Sequence, residues 1–134
     1  MLAALALVVV SVGKVLIHGI WASPDTRSLY EFRADGGFTL VVRYPNEKTY
    51  RIIYIENGRY EYRNDGNLDL TRTEVLPKGV EKGFQRNQPK RVLVVAPTKH
   101  PNRLLLDHAT WTRTKKIKVP HSLSEAEKLG YVQD

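Results

Sequence analysis

The chain reads as an all-β protein, an antiparallel meander closing into a small barrel, preceded by one apolar helix and followed by one short helix. Three observations predict this. Apolar and polar side chains alternate with a period of two across most of residues 29–114. Turn clusters rich in Gly, Asp, Asn and Pro separate those runs at short intervals, which leaves no room for crossover helices. The first thirteen residues, Met1 to Gly13, hold a single polar side chain, Ser11.

At 134 residues there is material for one core rather than two. The predicted organisation is a membrane-anchor helix over 1–18, the barrel over 19–114, and a basic tail with a short helix over 115–134.

The apolar run is too short by itself to span a bilayer. Thirteen helical residues rise roughly 20 Å against a hydrocarbon core of about 30 Å. Continuing through Val15, Leu16, Ile17, Ile20 and Trp21 reaches about 31 Å, with Lys14 and His18 near one end where long side chains reach the headgroups. A secretory signal is the second reading, although no basic residue precedes the run and Val10-Ser11-Val12-Gly13 matches a cleavage site poorly. A buried strand pair is the third, because Val8, Val9, Val10, Val12 and Val15 are β-branched. For a single-pass anchor, Lys14, Arg27 and Arg33 follow the run and nothing basic precedes it. The main domain is therefore expected on the cytoplasmic side.

Strands come next. Leu29 to Arg33 alternate, and Ala34-Asp35-Gly36-Gly37 turns the chain. Phe38, Leu40, Val42 and Tyr44 then share one face, opposite Thr39, Val41 and Arg43. After the break at Pro45-Asn46-Glu47, Tyr50, Ile52 and Tyr54 form the next strand. Asn57-Gly58 predicts a type I′ hairpin into a strand carrying Tyr60 and Tyr62. Asn64 to Asn67 turns again, into Leu68 and Leu70. Strands then recur at 91–96, 103–107 and 110–114, giving eight or nine in all, and a closed sheet hides the edges that such a meander would expose. Ser122 with Glu125 makes a capping box for a final helix, stopped by Gly130.

The formal charge is +7, from 21 Lys and Arg against 14 Asp and Glu. The excess is clustered. Lys78, Lys82, Arg86, Lys90 and Arg91 lie in one loop with Glu81 as its single acid, and Arg113, Lys115, Lys116 and Lys118 form a second group without any. Such clusters favour acidic protein surfaces or anionic headgroups as partners.

Gly19-Ile20-Trp21, then Tyr30 to Phe38 with its Asp-Gly turn, then Gly58-Arg59-Tyr60, resemble in order the opening of lipocalin-like, or calycin, barrels. The resemblance covers about residues 19 to 114. It implies that Trp21 closes one barrel end and packs beneath an arginine of the last strand, for which Arg113 is the nearest candidate, with Trp111 beside it. The chain departs from lipocalins in being shorter, in lacking their Thr-Asp-Tyr element and in having no cysteine.

Catalytic patterns are absent. The four histidines, His18, His100, His108 and His121, lack metal-ligand spacing, so neither metal nor cofactor is expected. Asp107-His108 reads as strand, where neighbours face opposite ways. Neither a Gly-x-Ser-x-Gly elbow nor a phosphate-cradling glycine loop occurs, and no enzymatic activity is expected. The richest feature is the aromatic set Tyr30, Phe32, Phe38, Tyr44, Tyr50, Tyr54, Tyr60 and Tyr62. It lines a cavity for a flat ligand or simply fills a small barrel. Stacking on single-stranded nucleic acid is disfavoured beside a membrane anchor.

The leading expectation is a non-catalytic membrane subunit whose barrel docks on a larger complex, touching partner or headgroups through Lys78, Lys82, Arg86, Lys90, Arg91, Lys115, Lys116 and Lys118. The alternative is a tethered carrier of a small hydrophobic ligand.

Overall fold

The computed structural model describes residues 15–85 and 87–133. Nine strands form one antiparallel sheet: β1 (Gly19–Ala22), β2 (Ser28–Phe32), β3 (Gly37–Pro45), β4 (Tyr50–Tyr62), β5 (Leu68–Leu76), β6 (Lys90–Leu93), β7 (Val95–Pro97), β8 (Arg103–Leu106) and β9 (Ala109–Thr114). A 3-10 turn, Val80–Gly83, sits in the β5–β6 loop, and one helix, α1 (Leu123–Lys128), follows the sheet.

The sheet order is β6-β5-β4-β3-β2-β1-β9-β8-β7. Its two end strands are separated in the chain by Val94 alone, so one bent segment, 90–97, pairs β5 with its first half and β8 with its second. The meander is thereby a nearly closed barrel. At the bend, Asp107 accepts a bond from Val94 N through Oδ1 and donates its own N–H to Val94 O, both at 2.9 Å.

Local chemistry sets the turns. Gly36 and Gly66 take positive φ, of 90° and 87°, and in each turn the preceding aspartate caps a backbone N–H, Asp35 that of Gly37 and Asp65 that of Asn67. Asp107 and His108 also have positive φ, and Leu106 pairs with Ala109 across them. They are thus the two central residues of a tight hairpin rather than part of a strand.

Asn57-Gly58 is not a turn. β4 runs unbroken from Tyr50 to Tyr62, and a bulge in β5, with Thr73 as the extra residue, lies opposite this dipeptide. Gly58 is there for space: a Cβ would lie 2.2 Å from Thr71 O and 2.6 Å from Phe38 Cε1. Asn57 spends its amide on neighbours, accepting from Thr39 Oγ1 and donating to Glu74 and to His121 O.

Two apolar clusters result. Inside the barrel pack Trp21, Tyr30, Phe32, Phe38, Leu40, Tyr60, Leu68, Leu70, Leu93, Leu104, Leu106 and Trp111. Ile17 joins them, wholly buried. Outside, Ala22, Leu29, Val41, Ile52 and Ile55 are covered by the C-terminal segment through Val119 and Ala126. Helix α1 is capped as predicted at Ser122, whose Oγ accepts from Glu125 N, while Glu125 Oε2 reaches back to His121 N. Gly130 follows with a φ of 88°. Val132 then lies alongside β4, bonding Tyr50 O and Ile52 N.

The anchor expected over 1–18 lies mostly outside the described residues. Its last four residues are not helical, and Val15 and Ile17 pack into the barrel. Among the described residues no helix is long and apolar enough to cross a membrane.

Candidate functional site

The eight aromatics expected to line the interior separate into two groups. Tyr30, Phe32, Phe38 and Tyr60 are buried inside, and Tyr54 and Tyr62 pack against them. Tyr44 and Tyr50 are not interior residues. β4 carries one extra residue, Ile53, between the positions paired with Val42 and Arg43. The bulge reverses the phase of the strand, so Tyr50 and Ile52 face outward while Tyr54 faces in. Tyr50 lies under the guanidinium of Arg43, 3.6 Å from ring centroid to Cζ, and Tyr44 is half exposed beneath Arg27.

The barrel is filled at one end. Trp21, fully buried, donates Nε1–H to Ile17 O at 2.8 Å, and Arg113 lies 4.3 Å above its ring and bonds His18 O. Phe32 meets Tyr60 edge to face, with centroids 5.2 Å apart, and the Tyr60 hydroxyl donates to Arg33 O. These side chains close the inside of the barrel at this end.

The other end is open. A cavity of about 340 Å³ is lined by Tyr30, Leu40, Tyr54, Glu56, Arg72, Gln88, Arg91, Val92 and Asp107, with Phe84 of the β5–β6 loop at its rim. Phe84 packs on Tyr54, centroids 4.6 Å apart. A larger depression, about 620 Å³, runs over β4–β6, where Arg59, Lys90, Glu61 and Asp69 give it a lining of mixed charge.

An ion pair floors the cavity. Arg91 grips Glu56 with both terminal nitrogens, at 2.8 and 2.6 Å, and donates to the Tyr30 hydroxyl at 2.9 Å. Glu56 is 3% exposed. Burial works against the charge on Arg91, yet the bonds to Glu56 and Tyr30 outweigh it and raise its pKa further, so the guanidinium stays ionised. Burial pushes the Tyr30 hydroxyl up to about 12 despite the nearby cation, and raises Tyr54 as well, with Glu56 adding to the effect. Both phenols are therefore neutral donors at ordinary pH.

Arg91 is thus displaced from the role its loop position implied: it and Leu93 occupy the inward phase of β6, while Lys90 is exposed. Glu56 shares the phase of Tyr54 and Tyr60 on β4. Two opposite charges on inward phases were the signal available in the sequence. Lys78 and Lys82 lie on the loop at the open end, whereas Lys115 and Lys116 follow β9 at the filled end, and Lys118 continues along the outside. Arg86 lies outside the described residues. Among the described residues no group of acidic, histidine or cysteine side chains is placed to hold a metal ion. No protein-family model, curated protein or solved structure matches the chain.

Proposed function

We propose that this protein is a non-catalytic binding protein that takes a small, neutral, largely apolar ligand at the open end of a lipocalin-like barrel. The observation that carries the proposal is the cavity above the Glu56–Arg91 pair. Its volume lies at the lower end of the range for ligand sites, about 300–1,000 Å³. Tyr54, Phe84 and Leu40 supply an apolar wall, and the Tyr30 and Tyr54 hydroxyls supply orientation. Charge sets the selectivity. The charges lining the cavity cancel, Glu56 and Asp107 against Arg72 and Arg91, so an anionic ligand would meet carboxylates together with the cations. A neutral ligand meets no such opposition.

The test is titration of the purified chain with N-phenyl-1-naphthylamine, an uncharged aromatic probe. Saturable fluorescence enhancement is expected, with amide shifts confined to the neighbourhood of Leu40, Tyr54, Phe84 and Arg91. Shifts at the filled end alone, or no saturation with any neutral aromatic probe, would refute the reading.

Docking on a larger membrane complex is the second reading, favoured by one observation. Lys78, Lys82, Lys115, Lys116 and Lys118 are free of ion pairs among the described residues, leaving unspent positive charge for an acidic partner. Sizing the native complex after gentle solubilisation tests it: migration as a lone chain of 15.3 kDa would rule the docking role out.

A further inference from the structure

The two basic clusters of the sequence do not form one surface. Strand direction assigns each loop to an end of the barrel. β1 starts at Gly19, beside the end of β2 at Phe32 and the end of β9 at Thr114. The turns 33–36, 63–67 and 98–102 and the chain after Thr114 therefore gather at the filled end. The β5–β6 loop with Lys78 and Lys82 is at the opposite end, around the cavity.

The filled end is also where the described chain begins. Ile17 N donates to the Tyr62 hydroxyl oxygen at 3.1 Å, and Leu16, just before it, is 73% exposed. The sequence leading into this point is the apolar run Met1 to Gly13.

Positive charge is in excess at this end, although Glu61 is exposed there opposite Asp69. Asp65 and Asp69 are both held by Arg63, and Asp35 caps Gly37 N. Lys99, Arg103, Lys115 and Lys116 are exposed and make no side-chain hydrogen bond or ion pair among the described residues.

We infer that the filled end is a docking face for an anionic lipid surface, with Lys99, Arg103, Lys115 and Lys116 against the headgroups, and that the cavity opens away from the bilayer. An apolar lead-in and unneutralised cations on one face are the two elements that stable surface attachment combines. Lys78 and Lys82, at the far end, do not take part. The inference rests on the membrane reading of the N-terminal run and is independent of what the cavity binds.

The chain has no cysteine, so single labels can be placed cleanly. Asn102→Cys puts a fluorophore on the filled end. Gly83→Cys puts one on the open end, where a Cβ meets nothing within 4 Å. Each full-length labelled chain is mixed with vesicles of phosphatidylcholine alone, or with added phosphatidylglycerol, carrying a headgroup quencher. Quenching of the Asn102→Cys label is expected in the anionic vesicles. It should weaken roughly a thousandfold in apparent affinity when Lys99, Arg103, Lys115 and Lys116 are replaced by Glu, with Lys78→Glu/Lys82→Glu having no such effect. The Gly83→Cys label should stay unquenched. Flotation with the neutral vesicles separately reports on the apolar run. Equal quenching of both labels, quenching independent of phosphatidylglycerol and salt, or none at all would overturn the docking face.

Discussion

The guanidinium of Arg113, on the last strand, lies 4.3 Å above the indole of Trp21, on the first. The two strands are neighbours in the sheet, with Trp21 directly opposite Arg113. The same arginine bonds His18 O and occupies the space where a side chain on Gly19 would fall, since a Cβ there would lie 2.5 Å from Nη1. One side chain thus fastens the first strand to the last. Arg113→Ala is expected to destabilise the fold by about 1–2 kcal/mol, with Arg113→Lys recovering part of the loss. Urea unfolding followed by tryptophan fluorescence checks this, and an unchanged midpoint for Arg113→Ala would count against the fastening role.

Breaking the buried pair from one side should be worse than removing it. Glu56→Leu leaves the Arg91 cation inside the barrel without its counter-charge, and a loss of about 3 kcal/mol is expected. The double replacement Glu56→Leu/Arg91→Leu should be milder than the single one. A double-mutant cycle by chemical denaturation measures the coupling, and strict additivity would refute it.

Gly58 tests the bulge. A methyl group there meets the Thr71 carbonyl and the Phe38 ring, so Gly58→Ala is expected to cost about 2–3 kcal/mol. Were Asn57-Gly58 a type I′ turn, the replacement would instead strain only the local φ. Chemical shifts of Phe38 and Thr71 distinguish the two, because only the overpacked bulge moves them.

Stability should fall in alkali before arginine titrates. The Tyr30 hydroxyl holds its proton to about 12 in the native state, above its ordinary value of 10.0. Its contribution to stability is complete below pH 10 and is lost as the pH climbs from about 10 towards 12, where the unfolded chain alone ionises. Tyr54 and Tyr60 shift in the same direction, chiefly through burial. Near-ultraviolet titration should show late-ionising phenols, and Tyr30→Phe should flatten the alkaline decline.

Most of the architecture could be read from residue order because it is local. Asp35-Gly36 and Asp65-Gly66 need positive φ wherever they occur between strands, and Ser122 with Glu125 caps a helix from its own neighbourhood. Bulges, and the tight hairpin at Asp107-His108, are where residue order misleads. One extra residue at Ile53 turned Tyr50 outward, and Asn57-Gly58, which can serve a turn or a close approach equally well, served the approach. The site was harder still. Arg91 sits among exposed basic residues in sequence, and only its pairing with Glu56, 35 positions away, shows that it faces inward.

The bend at Val94 has a mechanical consequence. The segment 90–97 is zipped to β5 on one side and to β8 on the other, so neither register can slip alone. Any displacement of Arg91 is passed along β6 and through Val94 to Val95 and, across the Val94–Asp107 bonds, to the β8–β9 hairpin. The two walls of the mouth move as one part.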